Sequence, residues 1–148
     1  MISWKCTYTT PDGVSNTIPA SVPGCLHTDL QRAGLVGDMY YRDNADSVQW
    51  IEQCSAVYTG TFTLDTVEPN TYLTLEGVDV YSDVYLNGAK LGETDNMFIS
   101  WEYNVSELLK QGKNVLEIKF RSPVREVDDL PKRNGAFTTE RLYTRRIQ

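Results

Sequence analysis

From residue 56 the chain alternates apolar and polar residues, and this period of two commits its second half to strands. Ala56 to Leu64 sets Tyr58, Phe62 and Leu64 on one face and Thr59, Thr61 and Thr63 on the other. Thr71 to Glu76 reads as a second strand with Leu73 and Leu75 on one side. Val80 to Leu86 reads as a third, with Val80, Val84 and Leu86 together. Asn87-Gly88 follows at once. A type I′ turn needs positive φ at both central positions, so this pair predicts a hairpin. Phe98 to Val105 and Val115 to Arg121 are further strands, the last with Leu116, Ile118 and Phe120 facing in. Between them, Asn104-Val105-Ser106-Glu107 reads as a helix cap followed by a short apolar turn at Leu108 and Leu109, which Gly112 ends.

The first half is less regular. Residues 1–22 are polar, with turn chemistry at Pro11-Asp12-Gly13. Leu26, Leu30 and Ala33 share one helical face and Gly34 stands where a helix stops, which predicts one short helix. Residues 35–54 read as an aromatic-rich loop, and Ser122 to Arg133, with two prolines and mixed charge, as a long one. Strands at this spacing with few helices predict an all-β fold, an antiparallel β-sandwich or jelly roll.

Length bounds the function. The 148 residues match a single domain, 1–148, at roughly 150 residues per domain. A catalytic (β/α)₈ barrel needs about 250 residues and does not fit. The net charge of −6 argues against nucleic acid, whose phosphates call for a basic footprint. No apolar run is long enough to span a membrane, and the segment Met1 to Lys5 does not read as a secretory signal. The cysteines Cys6, Cys25 and Cys54 form no CxxC pair and read as reduced thiols in a cytoplasmic setting.

Most site chemistries fail on ligand count or spacing. One histidine and three scattered cysteines do not make a zinc site. Asp43-Asn44-Ala45-Asp46 and Glu93-Thr94-Asp95-Asn96 offer oxygen ligands, but neither matches an EF-hand, so solvated turns are the better reading and no metal is expected. Phosphate-cradling glycine motifs are absent, so no nucleotide cofactor is expected either. Cys25 and His27 lie two apart, a spacing that does not face on a helix, which points to a small buried thiol and a satisfied imidazole. Asp79 and Asp83 share a strand face but stand well apart, so a solvated face outweighs a glycosidase carboxylate pair. Tyr40, Tyr41, Asp43, Asn44, Gln49 and Trp50 combine flat rings with amides and carboxylates, the chemistry that holds sugars. Composition alone favours Trp50 and one tyrosine as core anchors, because aromatics are mostly buried.

Several phrases together are more specific. They are Val22-Pro23-Gly24-Cys25-Leu26-His27-Thr28-Asp29-Leu30, Asp43 to Glu52 with Gln49-Trp50-Ile51, Leu75 to Gly88, Asp95-Asn96-Met97-Phe98 and Phe120-Arg121-Ser122-Pro123. In this order they resemble the N-terminal domain of glycoside hydrolase family 2, and within it the β-mannosidases. The resemblance implies a jelly-roll sandwich often called the sugar-binding domain, with the two catalytic glutamates of a retaining mechanism on a separate barrel. No catalytic residue is then expected here. It implies a domain that packs on the barrel and lends loop residues to a β-mannoside pocket; the alternatives are an autonomous carbohydrate-binding module or the same domain of a β-galactosidase or β-glucuronidase. Asn44 matches the family's pocket-side loop, with Trp50 next, Tyr41 beside them, and Asp95 and Asn96 as further contacts. Ala56 stands near where the family usually has tryptophan, and Asp38-Met39 where it has Asp-Pro. The family continues past a segment like Arg145-Arg146 into a Phe-Gly-Trp-Asp-Trp motif that closes the sandwich. The chain therefore reads as a domain cut a few residues early, with an exposed strand edge that invites pairing with a second copy.

Overall fold

The structure, a computed structural model, describes residues 1–128. Eight strands form: β1 Ser3–Thr9, β2 Ser15–Pro19, β3 Ser55–Leu64, β4 Tyr72–Leu75, β5 Ser82–Leu86, β6 Ala89–Thr94, β7 Trp101–Asn104 and β8 Gly112–Phe120. Six of them make one antiparallel sheet in the order β2-β1-β3-β8-β5-β6, and β4 and β7 pair in a second, smaller sheet. The alternation read from residue 56 onward sets the inner face of β3, β5 and β8, and β1 adds to it. Cys6, Tyr8, Ala56, Tyr58, Leu116, Ile118, Val84 and Leu86 are buried there. Leu75 from the small sheet joins the same core, with Leu73, Trp101 and Tyr103 packed against it. Gly92 of β6 lets the sheets meet, since a Cβ there would lie 2.9 Å from the Tyr103 ring.

The hairpin at Asn87-Gly88 forms as expected. Leu86 pairs with Ala89, and the two turn residues have φ of 51° and 87°. Asn87 also ties the turn to β8: its Oδ1 accepts from Val115 N at 2.9 Å and its Nδ2 donates to Asn114 Oδ1 at 2.8 Å. The expected helix is α1, Leu26–Arg32, and Gly34 follows it with φ of 71°. Fully buried Leu30 is its anchor, a side chain worth about 1.5–3 kcal/mol of burial.

Four stretches differ from the sequence reading. Within residues 1–22, β1 and β2 form a strand hairpin, with Thr7 bonded to Thr17 and Thr9 to Ser15 across it; the alternation of Trp4, Cys6 and Tyr8 against Lys5 and Thr7 is short and weakly apolar. The aromatic loop carries α2, Asn44–Ser47, and a 3₁₀ turn at Gln49–Gln53. Pro123 opens α3, Pro123–Asp128, where a missing N–H costs nothing, so part of the expected long loop is helical. The remainder of that loop lies outside the described residues. Asn104 caps no helix; its Oδ1 accepts from Ser106 N at 3.1 Å and closes β7 with a turn.

Candidate functional site

One end of the large sheet gathers the sequence's candidate residues. The rung Tyr8–Ala56–Phe120–Ser82–Thr94 runs across five strands near that end. Beyond it lie the 3₁₀ turn before β3, the segment between β4 and β5, residues 95–100 after β6, and Arg121-Ser122 after β8. Ser122 fastens two of these together, donating from Oγ to the Glu52 carbonyl at 2.7 Å.

Asn44 is half-buried, and its Nδ2 donates to the Asp38 carbonyl at 2.7 Å, which folds residues 38–44 into a tight bend. Tyr41 stands exposed with the Arg42 guanidinium 5.2 Å above its ring. Trp50 packs against the core, 6.2 Å from the Tyr8 ring centroid and tilted by 45°. Asn96 shapes its own turn: its Oδ1 accepts from Phe98 N at 2.9 Å and its carbonyl from Trp101 Nε1 at 3.1 Å. Asp95 is exposed beside it. Three strand spacings, about 14 Å, separate β3 from β6. The fold thus brings both groups to one sheet end without merging them, and among the described hydrogen bonds none joins them.

Two cavities open near this end, of about 250 and 270 Å³. The first has Tyr58, Ile118 and Phe120 of the large sheet in its lining, together with Glu76, Asp79 and Arg121. The second runs beside Met39, Tyr40, Val48 and Gln49. Cys25 and His27 line both. Helical spacing does not govern this pair, because Cys25 is the N-cap of α1, with extended backbone at φ −144° and ψ 163°. The His27 imidazole is the main influence that lowers the Cys25 thiol to about 7; burial opposes it, and the Thr28 amide and hydroxyl assist. Burial instead pushes Cys6 up to about 12 and raises Cys54.

Asp79 and Asp83 do not share a strand face. Asp79 precedes β5 and lines the first cavity, while Asp83 turns to Lys90 and Arg121 at 2.7 and 2.8 Å. Lys90 lowers the Asp83 carboxyl below its usual range, and Arg121 adds to this. Among the described residues no group of three or more His, Cys, Asp or Glu side chains is placed to hold a metal ion. No described helix is long and apolar enough to cross a membrane. Glu76, Asp79 and Arg121 were not legible as one site, because two segments distant in sequence supply them, the connection between β4 and β5 and the residue after β8. Only the glycine after Glu76, with φ of 67°, marks a sharp exit from β4 in the sequence.

The family model for the glycosyl hydrolase 2 galactose-binding domain-like domain matches residues 4–148. The chain belongs to this family. A β-mannosidase from Capra hircus is 35% identical over 123 residues, which cover 81% of this chain and 14% of that protein. β-Mannosidase A of Emericella nidulans is 36% identical over 119 residues, or 78% of this chain and 13% of that one. Among solved structures, the β-D-mannosidase of Dictyoglomus thermophilum superposes with a TM-score of 0.74 at 36% identity, over 89% of this chain and 17% of that chain. A β-D-glucuronidase from the same organism shares the fold, with a TM-score of 0.51 at 19% identity, over 84% of this chain and 20% of that one. The sandwich is therefore the jelly-roll, galactose-binding-like domain that the sequence resemblance implied. It is homologous to β-mannosidases and spans about 14% of the length of those relatives.

Proposed function

We propose that this chain is the non-catalytic N-terminal domain of a retaining β-mannosidase, acting as a scaffold that completes the substrate pocket of a separate catalytic barrel. The observation that carries this reading is identity of 35–36% to β-mannosidases across about four-fifths of the chain. The strands and short elements described above take up the described residues in a sandwich, and the barrel chemistry of a retaining glycosidase needs two carboxylates held on another scaffold. In this reading Asn44 and Tyr41 face the β-mannoside from the sheet end, with Asp95 and Asn96 as outer contacts and Trp50 bracing the loop beneath. Tyr40, Tyr41, Phe98 and Ile99, all exposed, form the surface that the barrel covers. Three free cysteines support a reducing, cytoplasmic setting as part of the proposal. Self-association through an outer strand of the large sheet, β2 or β6, is a further part of the proposal.

The test is an assay of the purified chain on an aryl β-mannoside. No turnover is expected, and addition of the chain to a β-mannosidase lacking its own first domain is expected to restore activity. Turnover by the chain alone overturns the reading.

A further inference from the structure

Among the described residues no three His, Cys, Asp or Glu side chains are grouped to hold a metal ion, but methionine also carries a donor atom. The 270 Å³ cavity has Cys25, His27 and Met39 in its lining, a thiol, an imidazole and a thioether. All three residues are half-buried. Cys25 and His27 stand at the start of α1, and the imidazole is the foremost polar neighbour of the thiol. Cys25 Sγ lies 3.6 Å from Thr28 Oγ1, a long contact that leaves sulfur lone pairs for a ligand. Met39 comes from the bend that the bond between Asn44 and the Asp38 carbonyl closes, and it packs against the core from there. Its side chain is unbranched with three rotatable bonds, so its sulfur can swing toward the pair. Thiolate and thioether are soft donors that select copper(I), and imidazole suits the same ion. Glu52 lines the cavity too, yet forms no metal-holding group with Cys25 and His27, which removes the mixed donor set that zinc takes.

We propose that Cys25, His27 and Met39 form a binding site for one soft monovalent cation, copper(I), which ties the start of α1 to the bend at residues 38–44. The thiol gives its proton to solvent as the metal–sulfur bond forms, so thiolate and ion cancel in charge. No change of oxidation state is involved. The site needs three side chains rather than a closed wall, and it does not rest on the scaffold reading.

Anaerobic titration of the reduced 148-residue chain with copper(I), supplied from a chromophoric copper(I) chelator, tests the site. The expected result is transfer of a single equivalent, a raised melting temperature and protection of Cys25 from iodoacetamide. Cys25→Ser keeps Cys6 and Cys54 and should lose the transfer. Met39→Leu conserves side-chain volume and should weaken binding by at least the roughly tenfold that loss of an outer partner of a metal ligand costs. His27→Gln should weaken it likewise. A Cys25→Ser variant that fails to fold leaves the decision to Met39→Leu and His27→Gln. The proposal is overturned by no transfer, by transfer unchanged in Cys25→Ser, or by wild-type affinity in Met39→Leu or in His27→Gln, which would strike that donor from the set. Displacement of the copper by equimolar zinc(II) overturns it as well. The scaffold reading is judged separately by restoration of the truncated enzyme, so either can fail alone.

Discussion

The Tyr58 hydroxyl donates to Asp29 Oδ2 at 3.0 Å inside the core, and this bond fastens α1 to a central strand of the large sheet. Asp29 is 1% exposed, and its other oxygen accepts from Ser21 N at 3.1 Å and Arg32 Nη1 at 3.0 Å. One carboxylate thereby holds together the segment before α1, the helix itself and β3. Both cavities share the Cys25–His27 wall at the start of that helix, so its seating shapes both.

Removing either partner leaves a buried polar group without a match. Tyr58→Phe should cost about 1.5–3 kcal/mol, the range for a hydrogen bond to a charged group. Asp29→Ala strands the Tyr58 hydroxyl and the Ser21 amide together, and should cost at least as much as Tyr58→Phe. Urea unfolding followed by fluorescence checks both, as a fall in midpoint at unchanged slope. Wild-type midpoints in both variants would mean that the helix is held by apolar contacts alone.

The Asn87 side chain separates turn chemistry from cross-linking. Asn87→Gly keeps the positive φ that the turn needs but removes the bonds to Val115, Asn114 and Leu108. It should destabilise by about 1–3 kcal/mol, because Asn114 is fully buried and loses a donor. Asn87→Ala should cost more, adding the strain of φ near 51°. Equal losses for the two variants in thermal unfolding would place the whole role in the cross-link.

Much of this architecture was legible because strands report themselves through alternation. Ala56 to Leu64 and Val115 to Arg121 are nearly the observed β3 and β8, and Asn87-Gly88 marked its turn type. The first hairpin was harder: β2 contributes a single buried residue, Ile18, so its pattern has nothing to repeat. The short helix at Asn44–Ser47 buries nothing, and its apolar periodicity is therefore absent. The candidate contacts followed the family phrases, which lie within single segments. The cavity carboxylates escaped because Glu76 and Asp79 meet Arg121 only through the sheet order that sets β5 beside β8. Cys25 escaped for a different reason, since its extended backbone puts it outside the helix that the spacing argument assumed.

Trp50 and Asn44 should part company on substitution. Trp50 packs on Tyr8 and the core, so Trp50→Ala should cost about 3 kcal/mol, the low end for a large aromatic truncation. Asn44→Ala loses one bond to the Asp38 carbonyl at a half-exposed position and should cost about 1 kcal/mol or less. If Asn44 contacts substrate as proposed, Asn44→Ala in a β-mannosidase carrying this domain should raise KM while the melting temperature stays within a few degrees. A stability loss for Asn44→Ala as large as that for Trp50→Ala would make it a structural residue instead.

The thiol of Cys25 should be the first to react near neutral pH. His27 holds its titration near 7, against 9.0 for an ordinary thiol, whereas Cys6 is driven up to about 12 and Cys54 is also raised. The thiolate is the nucleophile, so alkylation by iodoacetamide should rise with pH through about 7 and then level off. The sign follows for stability as well. A thiol lowered on folding adds stability above its unfolded value of about 9, and that contribution is lost as pH falls through about 7. Solvent reaches this half-buried site, so the contribution is small. Cys6 acts in the opposite sense: its contribution is present below about 9 and is lost as pH climbs toward 12. Peptide mass spectrometry after timed alkylation should therefore find Cys25 modified ahead of the other two, and His27→Ala should move its midpoint up toward 9. A midpoint that stays near 7 in His27→Ala would assign the shift to the Thr28 amide and hydroxyl instead.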